Sequence, residues 1–322
     1  MNLPPFVLHQ PLTIDEAVAT FAQHPGEADW LAGGTDLLPN YKWRLNAKPH
    51  VISLHRVEGL RDLTPTHIGA MVTLRELEGS AELQARLPVI PATARQVASV
   101  LLRASGTLGG NLMLENRCFY FNQSEHWRRS WEPCMKAEGD RCHVVPQQEL
   151  CYATFSSDMA GTLCALDATA QLLGPQAGRE VPLQELYLFD GIRRHARTPG
   201  ELLIGVRLPE CAPTWRTGYR KLRLRGSWDF PELGVAISIQ IVDGALSRLR
   251  IVLNALEQAP RSLDSVTKPY VGGPLSDQAI EELAAASFER ARPYRNTSFP
   301  PHYRRKMVPV FVRDLLRHLR DS

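Results

Sequence analysis

Residues 115–155 show no repeating pattern of apolar side chains, yet they cannot behave as an ordinary loop. They carry Phe119, Tyr120, Phe121, Trp127, Trp131, Tyr152 and Phe155 but almost no aliphatic residue, and their basic and acidic side chains nearly cancel. Structureless connections of that length are uncommon inside a compact domain, and so many aromatics argue against disorder. The stretch needs a staple, and it contains a candidate: Cys118, Cys134, Cys142 and Cys151, with 15, 7 and 8 residues between successive cysteines. Four thiolates are the ligand set of an iron–sulfur cluster or of zinc. Zinc sites usually draw ligands in close C-x2–4-C pairs, a spacing absent here. Wide, irregular spacing suits a larger cluster reached from four directions. Cluster formation would also order a segment too poor in aliphatics to fold alone. Zinc and free thiols stay open as alternatives. His126 and His143 read as surface or neighbouring groups rather than ligands.

A glycine turn, Thr107-Leu108-Gly109-Gly110-Asn111, ends seven residues before Cys118. Cys151 lies seven residues before Asp158. Both ends of the cysteine segment are therefore tethered within roughly 25 Å of chain contour to these positions. Ala32-Gly33-Gly34-Thr35-Asp36 has the same character and follows an apparent strand. Glycines let a backbone turn so that successive N–H groups face an anion, and the missing Cβ lets phosphate approach. Neither segment is G-x-G-x-x-G or a P-loop. The residues alone reach as far as a pyrophosphate site built from two loops, with plain tight turns as the alternative. Thiolates beside such a site suggest electron transfer between two redox centres.

The remaining bulk properties narrow the class. The 322 residues suffice for two or three domains, and 44% hydrophobic content describes an ordered globular chain. Net charge is only +3, from 37 basic and 34 acidic residues, which makes no case for nucleic acid or membrane as a partner. No apolar run is long enough to span a bilayer. The N-terminal residues lack the pattern of a signal peptide. A cytoplasmic location follows, where thiols stay reduced, so six cysteines are not read as three disulfides. Cys164 lies in an apolar run and reads as a small core residue. Cys211 sits near a domain junction and carries no assigned role.

Alternating helix and strand signals predict an α+β chain. Thr13-x-x-Glu16 and Thr73-x-x-Glu76 are capping boxes. Strands are expected at 29–32, 51–54, 67–73, 169–173 and 202–208, and helices at 92–102 and 159–168. The character changes near 209–213. Beyond it, 219–225 alternates, and apolar runs at 234–242 and 246–253 flank Asp243-Gly244, a hairpin signal. Helices near 277–286 and 303–319 close the chain, giving a C-terminal antiparallel sheet with helices. The divisions expected are 1–57, 58–212 with an insert at about 113–156, and 213–322.

Ala32-Gly33-Gly34-Thr35-Asp36-Leu37 and Arg103-x-x-Gly106-Thr107-Leu108-Gly109-Gly110-Asn111-Leu112 resemble the FAD-binding domain of the xanthine dehydrogenase family, in its medium, flavin-carrying subunit. Also similar are 67–74, Ser157-Asp158 leading to Ala165-Leu166-Asp167-Ala168, Lys221-x-x-x-Arg225 with Asp229, and Tyr303-Arg304-Arg305. The resemblance runs in order along essentially the whole chain. It implies a two-part FAD-binding domain followed by a flavoprotein C-terminal domain. The FAD pyrophosphate would lie against Ala32, Gly33, Gly34, Thr35 and Asp36 and against Thr107, Gly109, Gly110 and Asn111. Asp158, Leu203 and Lys221 would be further flavin contacts.

In most flavin subunits of this family the second glycine loop continues directly into the Ser-x-x-Asp region. Here the chain leaves near Leu112 and returns near Ser156. That placement and the cysteine spacing resemble the beta subunits of 4-hydroxybenzoyl-CoA reductases, whose extra loop binds a [4Fe–4S] cluster. Cys118, Cys134, Cys142 and Cys151 would be its ligands. The resemblance implies electrons passing from a reduced ferredoxin through [4Fe–4S] and FAD. From there they would reach [2Fe–2S] clusters on a small subunit and a molybdenum cofactor on a large one, with two copies of each of the three subunits. Removal of the phenolic hydroxyl of 4-hydroxybenzoyl-CoA, giving benzoyl-CoA, would occur on the large subunit, so no acid, base or nucleophile is assigned here. The alternatives are a flavin subunit of another molybdenum hydroxylase, of xanthine or CO dehydrogenase type, with an extra cluster, or a zinc-stapled, non-catalytic assembly protein.

Overall fold

Three sheets divide the chain in the computed structural model, which describes residues 2–210 and 212–322. Cys211 lies outside the described residues. The first sheet is parallel, with β1 (Val7–His9), β2 (Ala28–Leu31) and β3 (His50–Ser53) in the order β1-β3-β2. Parallel neighbours need crossovers, and the helices Ile14–Ala22 and Leu37–Lys42 supply them. Thr13 and Glu16 start the first helix through the expected capping box. Ala17, Val18, Ile52 and Leu54 form the core, and Phe21 stacks on Trp30 at 4.5 Å.

The second sheet is antiparallel, with β4 (His67–Gly69), β5 (Thr169–Leu173), β6 (Gly178–Pro182) and β7 (Leu202–Arg207) in the order β4-β7-β5-β6. The strand expected over 67–73 stops at Gly69. Beyond it the carbonyls of Ala70 and Val72 turn away to accept the amides of Gly109 and Leu108, each at 2.8 Å. The helix expected over 92–102 is two helices, Val89–Arg95 and Val100–Ser105. Ala98 breaks it with φ +45°, and Ser99 caps the second piece by accepting the Leu102 amide. The break frees the Gln96 carbonyl, which accepts from Lys221 at 3.0 Å and Arg223 at 3.2 Å.

The third sheet joins β8 (Arg216–Leu222), β9 (Leu233–Val242), β10 (Ala245–Asn254) and β11 (Arg261–Ser262), all antiparallel. Asp243 and Gly244 turn the central hairpin with φ +51° and +80°, as a two-residue primed turn requires. Val235, Ile237, Ile251 and Leu253 face the helices Asp277–Arg290 and Pro301–Asp321. The alternate residues Ala236 and Val252 join the core of the preceding sheet, against the fully buried helix Asp158–Ala165. Gly161 permits that contact, since a Cβ there would stand 3.1 Å from Asn254 Cβ. Among the described residues no helix is long and apolar enough to cross a membrane.

The insert leaves after the helix Leu108–Leu112 and returns at Asp158–Ala165. Arg117 and Thr154 close its stem by exchanging backbone hydrogen bonds of 2.7 and 2.8 Å. Inside it are one short helix, Glu125–Ser130, and a single 3-10 turn, Met135–Ala137.

Candidate functional site

The two glycine loops touch, but their backbones serve different purposes. The first loop follows β2. Among the described residues, the amides of the half-buried Gly33, Gly34 and Asp36 and of the exposed Thr35 donate to no protein acceptor. Gly34 has φ +71°. A run of free N–H groups around a glycine in that conformation is an anion cradle. Gly33 is a packing glycine, because a Cβ would collide with the Ser105 carbonyl oxygen. Asp36 points away from the amides to the insert stem, pairing with Arg117 and accepting the Glu115 amide at 3.4 Å.

The second loop does not repeat this chemistry, contrary to the sequence expectation. Thr107 accepts the Gly110 amide at 3.1 Å, and the Asn111 amide bonds the Thr107 carbonyl at 3.0 Å. The Leu108 and Gly109 amides are taken by the turn after β4. Gly109 packs on Ala70, where a Cβ would come within 2.8 Å of both Cβ and O. Gly110 is tight toward its own loop and looser toward the first: a Cβ would stand 3.1 Å from Thr107 Oγ1 and 3.7 Å from Ala32 Cβ. The first loop therefore offers donors, and the second faces it at Gly110 without a side chain. These residues fit a pyrophosphate entering between them.

Asp158 and Lys221 come together, and chiefly with each other. Lys221 Nζ lies 2.9 Å from Asp158 Oδ2, with side chains 0% and 3% exposed. Tyr219 donates to the same carboxylate at 2.6 Å, and burial, then Asp158, raises its hydroxyl pKa well above the ordinary range. Asn111 links this group to the second loop, accepting from Ser157 Oγ at 2.7 Å and the Met159 amide at 3.3 Å. Leu203 lies in β7, and its side chain is buried in the core with Leu108 and Leu112.

Cys118, Cys134, Cys142 and Cys151 are free, buried, and line one partly enclosed cavity with Tyr120, Phe121, Met135, Lys136 and His143. Burial pushes the Cys118 thiol up to about 12 and Cys151 to about 11. Neutral thiols in that position lose their protons only to a bound metal. A tetrahedral zinc with bonds of about 2.3 Å would hold its sulfurs about 3.8 Å apart. Among the described residues, the one group of three or more ligand atoms within 4.8 Å of one another lies elsewhere. No three of the four sulfurs are therefore gathered as closely as the ligands of one tetrahedral zinc. His143 bonds the Glu132 carbonyl at 2.6 Å, and His126 is exposed.

Several groups that seat this cavity had no signal in the sequence. Lys136, 3% exposed at its side chain, pairs with Glu115 at 2.5 Å, donates to the Asn116 carbonyl at 3.0 Å and lies over Phe121. Arg194 also pairs with Glu115. Burial alone would raise the Glu115 pKa, but Lys136 and Arg194 outweigh it and hold the carboxyl below its ordinary value. Gly191 packs on Cys151, where a Cβ would stand 2.7 Å from Sγ. A line of polar contacts therefore runs from the cavity through Lys136, Glu115 and Asp36 to the first glycine loop.

Residues 4–211 match the family described as the FAD binding domain in molybdopterin dehydrogenase, and 218–319 the CO dehydrogenase flavoprotein C-terminal domain. The carbon monoxide dehydrogenase medium chain of Afipia carboxidovorans is 28% identical over 312 residues, covering 96% of this chain and 94% of its own. The aldehyde oxidoreductase FAD-binding subunit PaoB of Escherichia coli is 33% identical over 286 residues, covering 84% of this chain and 87% of its own. The solved structure of reconstituted CO dehydrogenase from Oligotropha carboxidovorans is similar with a TM-score of 0.81 at 26% identity, over 100% of this chain and 99% of that one. The two family descriptions name flavin and no iron–sulfur group, so a cluster rests on the cysteine cavity alone.

Proposed function

The chain belongs to the family of FAD-binding subunits of molybdopterin dehydrogenases, and on that premise we propose that it is an electron-transfer subunit holding both FAD and a [4Fe–4S] cluster. One observation carries the second cofactor: four buried, free thiols converge on one cavity. When bound, FAD would exchange electrons singly or in pairs and the cluster singly, which suits relay between a one-electron donor such as a ferredoxin and [2Fe–2S] and molybdenum subunits.

This chain's residues hold and tune rather than react. The free amides of residues 33–36 would receive the pyrophosphate charge, and Gly110 would leave room for it. Asn111 and the Asp158–Lys221 pair would fix the second loop against the C-terminal sheet. Cys118, Cys134, Cys142 and Cys151 would supply thiolates, and the buried Lys136 ammonium would offset part of their negative charge. No acid, base or nucleophile for substrate chemistry is assigned to this chain.

The insert supports the narrower reading of a 4-hydroxybenzoyl-CoA reductase subunit in a cytoplasmic complex of two copies of each of three subunits. The names of the relatives support an oxidative molybdenum hydroxylase, in which electrons leave through the flavin toward NAD or a quinone. Electron direction separates the two. The test uses complex purified without oxygen, with iron, sulfide, zinc and flavin measured per chain and EPR recorded after reduction. About four irons on this chain and one FAD are expected. Turnover of 4-hydroxybenzoyl-CoA with reduced ferredoxin supports the reductase, and oxidation of an aldehyde or CO with a quinone supports the alternative. FAD without cluster iron removes the cluster from the reading, and zinc without flavin overturns it entirely.

A further inference from the structure

The first sheet gathers a second set of metal-ligand side chains, remote in sequence from the cysteines. His9 ends β1, His24 lies in the turn after the helix Ile14–Ala22, and His50 begins β3. Parallel pairing of Val7 with His50 and His9 with Ile52 brings the strand residues together. The His9 Nε2 to His50 Nδ1 distance is 3.0 Å, and the rings of His24 and His50 stack at 3.6 Å and 13°. One ring nitrogen from each of the three lies within 4.8 Å of the others. Among the described residues, the contact between His9 and His50 is the one hydrogen bond these six ring nitrogens make. All three residues are half-buried.

We propose that His9, His24 and His50 bind one divalent transition-metal ion of the zinc, cobalt or nickel class. Neutral imidazoles are preferred ligands for such ions, and three of them leave a fourth position for water. With metal–nitrogen bonds of about 2.0–2.1 Å, tetrahedral ligands stand about 3.3–3.4 Å apart, close to the present separation of His9 and His50. Lone pairs in stacked rings run in parallel planes, so His24 must swing out of the stack about its side-chain torsions. Binding replaces the His9–His50 hydrogen bond with two metal bonds: the ring that donated it releases that proton to water and takes one up on its other nitrogen, so both imidazoles stay neutral and no oxidation state changes. The ion would clip β1, the first helix turn and β3 together. That sheet also carries β2, from which the first glycine loop departs, so the clip would brace the loop's scaffold. The inference is independent of the cluster assignment.

The test uses the full chain purified without oxygen, treated with a chelator mild enough to leave bound iron, then titrated with Co2+ by calorimetry and visible absorption. One Co2+ per chain is expected, with a nitrogen–oxygen ligand-field spectrum and no thiolate charge-transfer band. Affinity should fall on the order of 10- to 100-fold or more in His24→Ala and in the separate variant His9→Gln, with no change in Cys134→Ser. Zn2+ should raise the thermal midpoint of the parent chain but not of either histidine variant. Equal affinity in the parent and both histidine variants overturns the proposal. So does a thiolate band that disappears in Cys134→Ser, which would put the ion on the cysteines.

Discussion

The C-terminal sheet and the cysteine insert are both ordered, by opposite means. The sheet buries Val235, Ile237, Ile251 and Leu253 against Ile280, Leu283, Val312 and Leu316, a core that is mostly aliphatic. The insert's buried cluster is Leu45, Cys118, Phe121, Cys134, Cys151 and Ala153, and its helix Glu125–Ser130 buries no residue. Polar ties replace area there. Arg128 donates to the carbonyls of Trp43 at 3.2 Å, Arg44 at 3.1 Å and Gln123 at 2.5 Å, and Asn296 takes the Phe119 amide and Thr154 hydroxyl. A region ordered by area carries its stability in its own side chains. A region ordered by polar ties would, on the proposed reading, also depend on what its thiols hold.

The largest break in this contrast is Cys134→Ser. It should abolish cluster iron and drop amide-exchange protection across the insert toward that of a mobile loop, while β9 and β10 keep theirs. Exchange measured by mass spectrometry beside iron analysis checks this. Retained iron would remove Cys134 from the ligand set, and equal loss in both regions would dissolve the distinction.

Next comes Glu115→Gln, which leaves the buried Lys136 and the half-buried Arg194 without their shared partner, at a cost of up to about 3 kcal/mol. Its pH dependence has a definite sign. The folded pKa lies below the ordinary 4.5. The stabilisation is therefore complete above about 4.5 and is lost as pH falls through the lower folded value. The parent insert should lose protection in that acid window, and the glutamine variant should show no such loss from this position. Parallel pH profiles for the two proteins would remove Glu115 from the seat.

How much of each region the sequence disclosed follows from how local its causes are. The hairpin was legible because Asp243-Gly244 and the flanking apolar runs are adjacent in the chain, and both capping boxes lie within one helical turn. That 115–155 is no regular helix or strand was legible from composition, but the ion pairs that seat it were not, because Arg194 meets Glu115 across 79 positions. The glycine loops look alike as sequence. They differ because the second loop's amides are taken by carbonyls near Ala70, a tertiary pairing without local signature. Ala98 likewise has no breaking residue's character. Its left-handed turn goes with the Trp228 amide reaching its carbonyl at 2.9 Å. Three histidines separated by two helices and a strand carry no recognisable spacing.

The smallest effect sharpens the contrast at the scale of single groups. Ile280 is fully buried between the C-terminal helices and the sheet. Ile280→Val removes one methylene and should cost about 0.5–1.5 kcal/mol, because a packed core relaxes only partly around the gap. Arg129 on the insert pairs with Glu125 at 2.6 Å, but its side chain is 79% exposed. Water screens that pair and its rotamer entropy opposes it, so Arg129→Ala should cost no more than about 0.3–0.5 kcal/mol despite removing far more atoms. Denaturant titrations followed through each region's own amides test the two variants together. A larger penalty for Arg129→Ala would mean that the insert's outer face is structural, and that its order extends beyond the cavity and stem that the cysteines and buried charges hold.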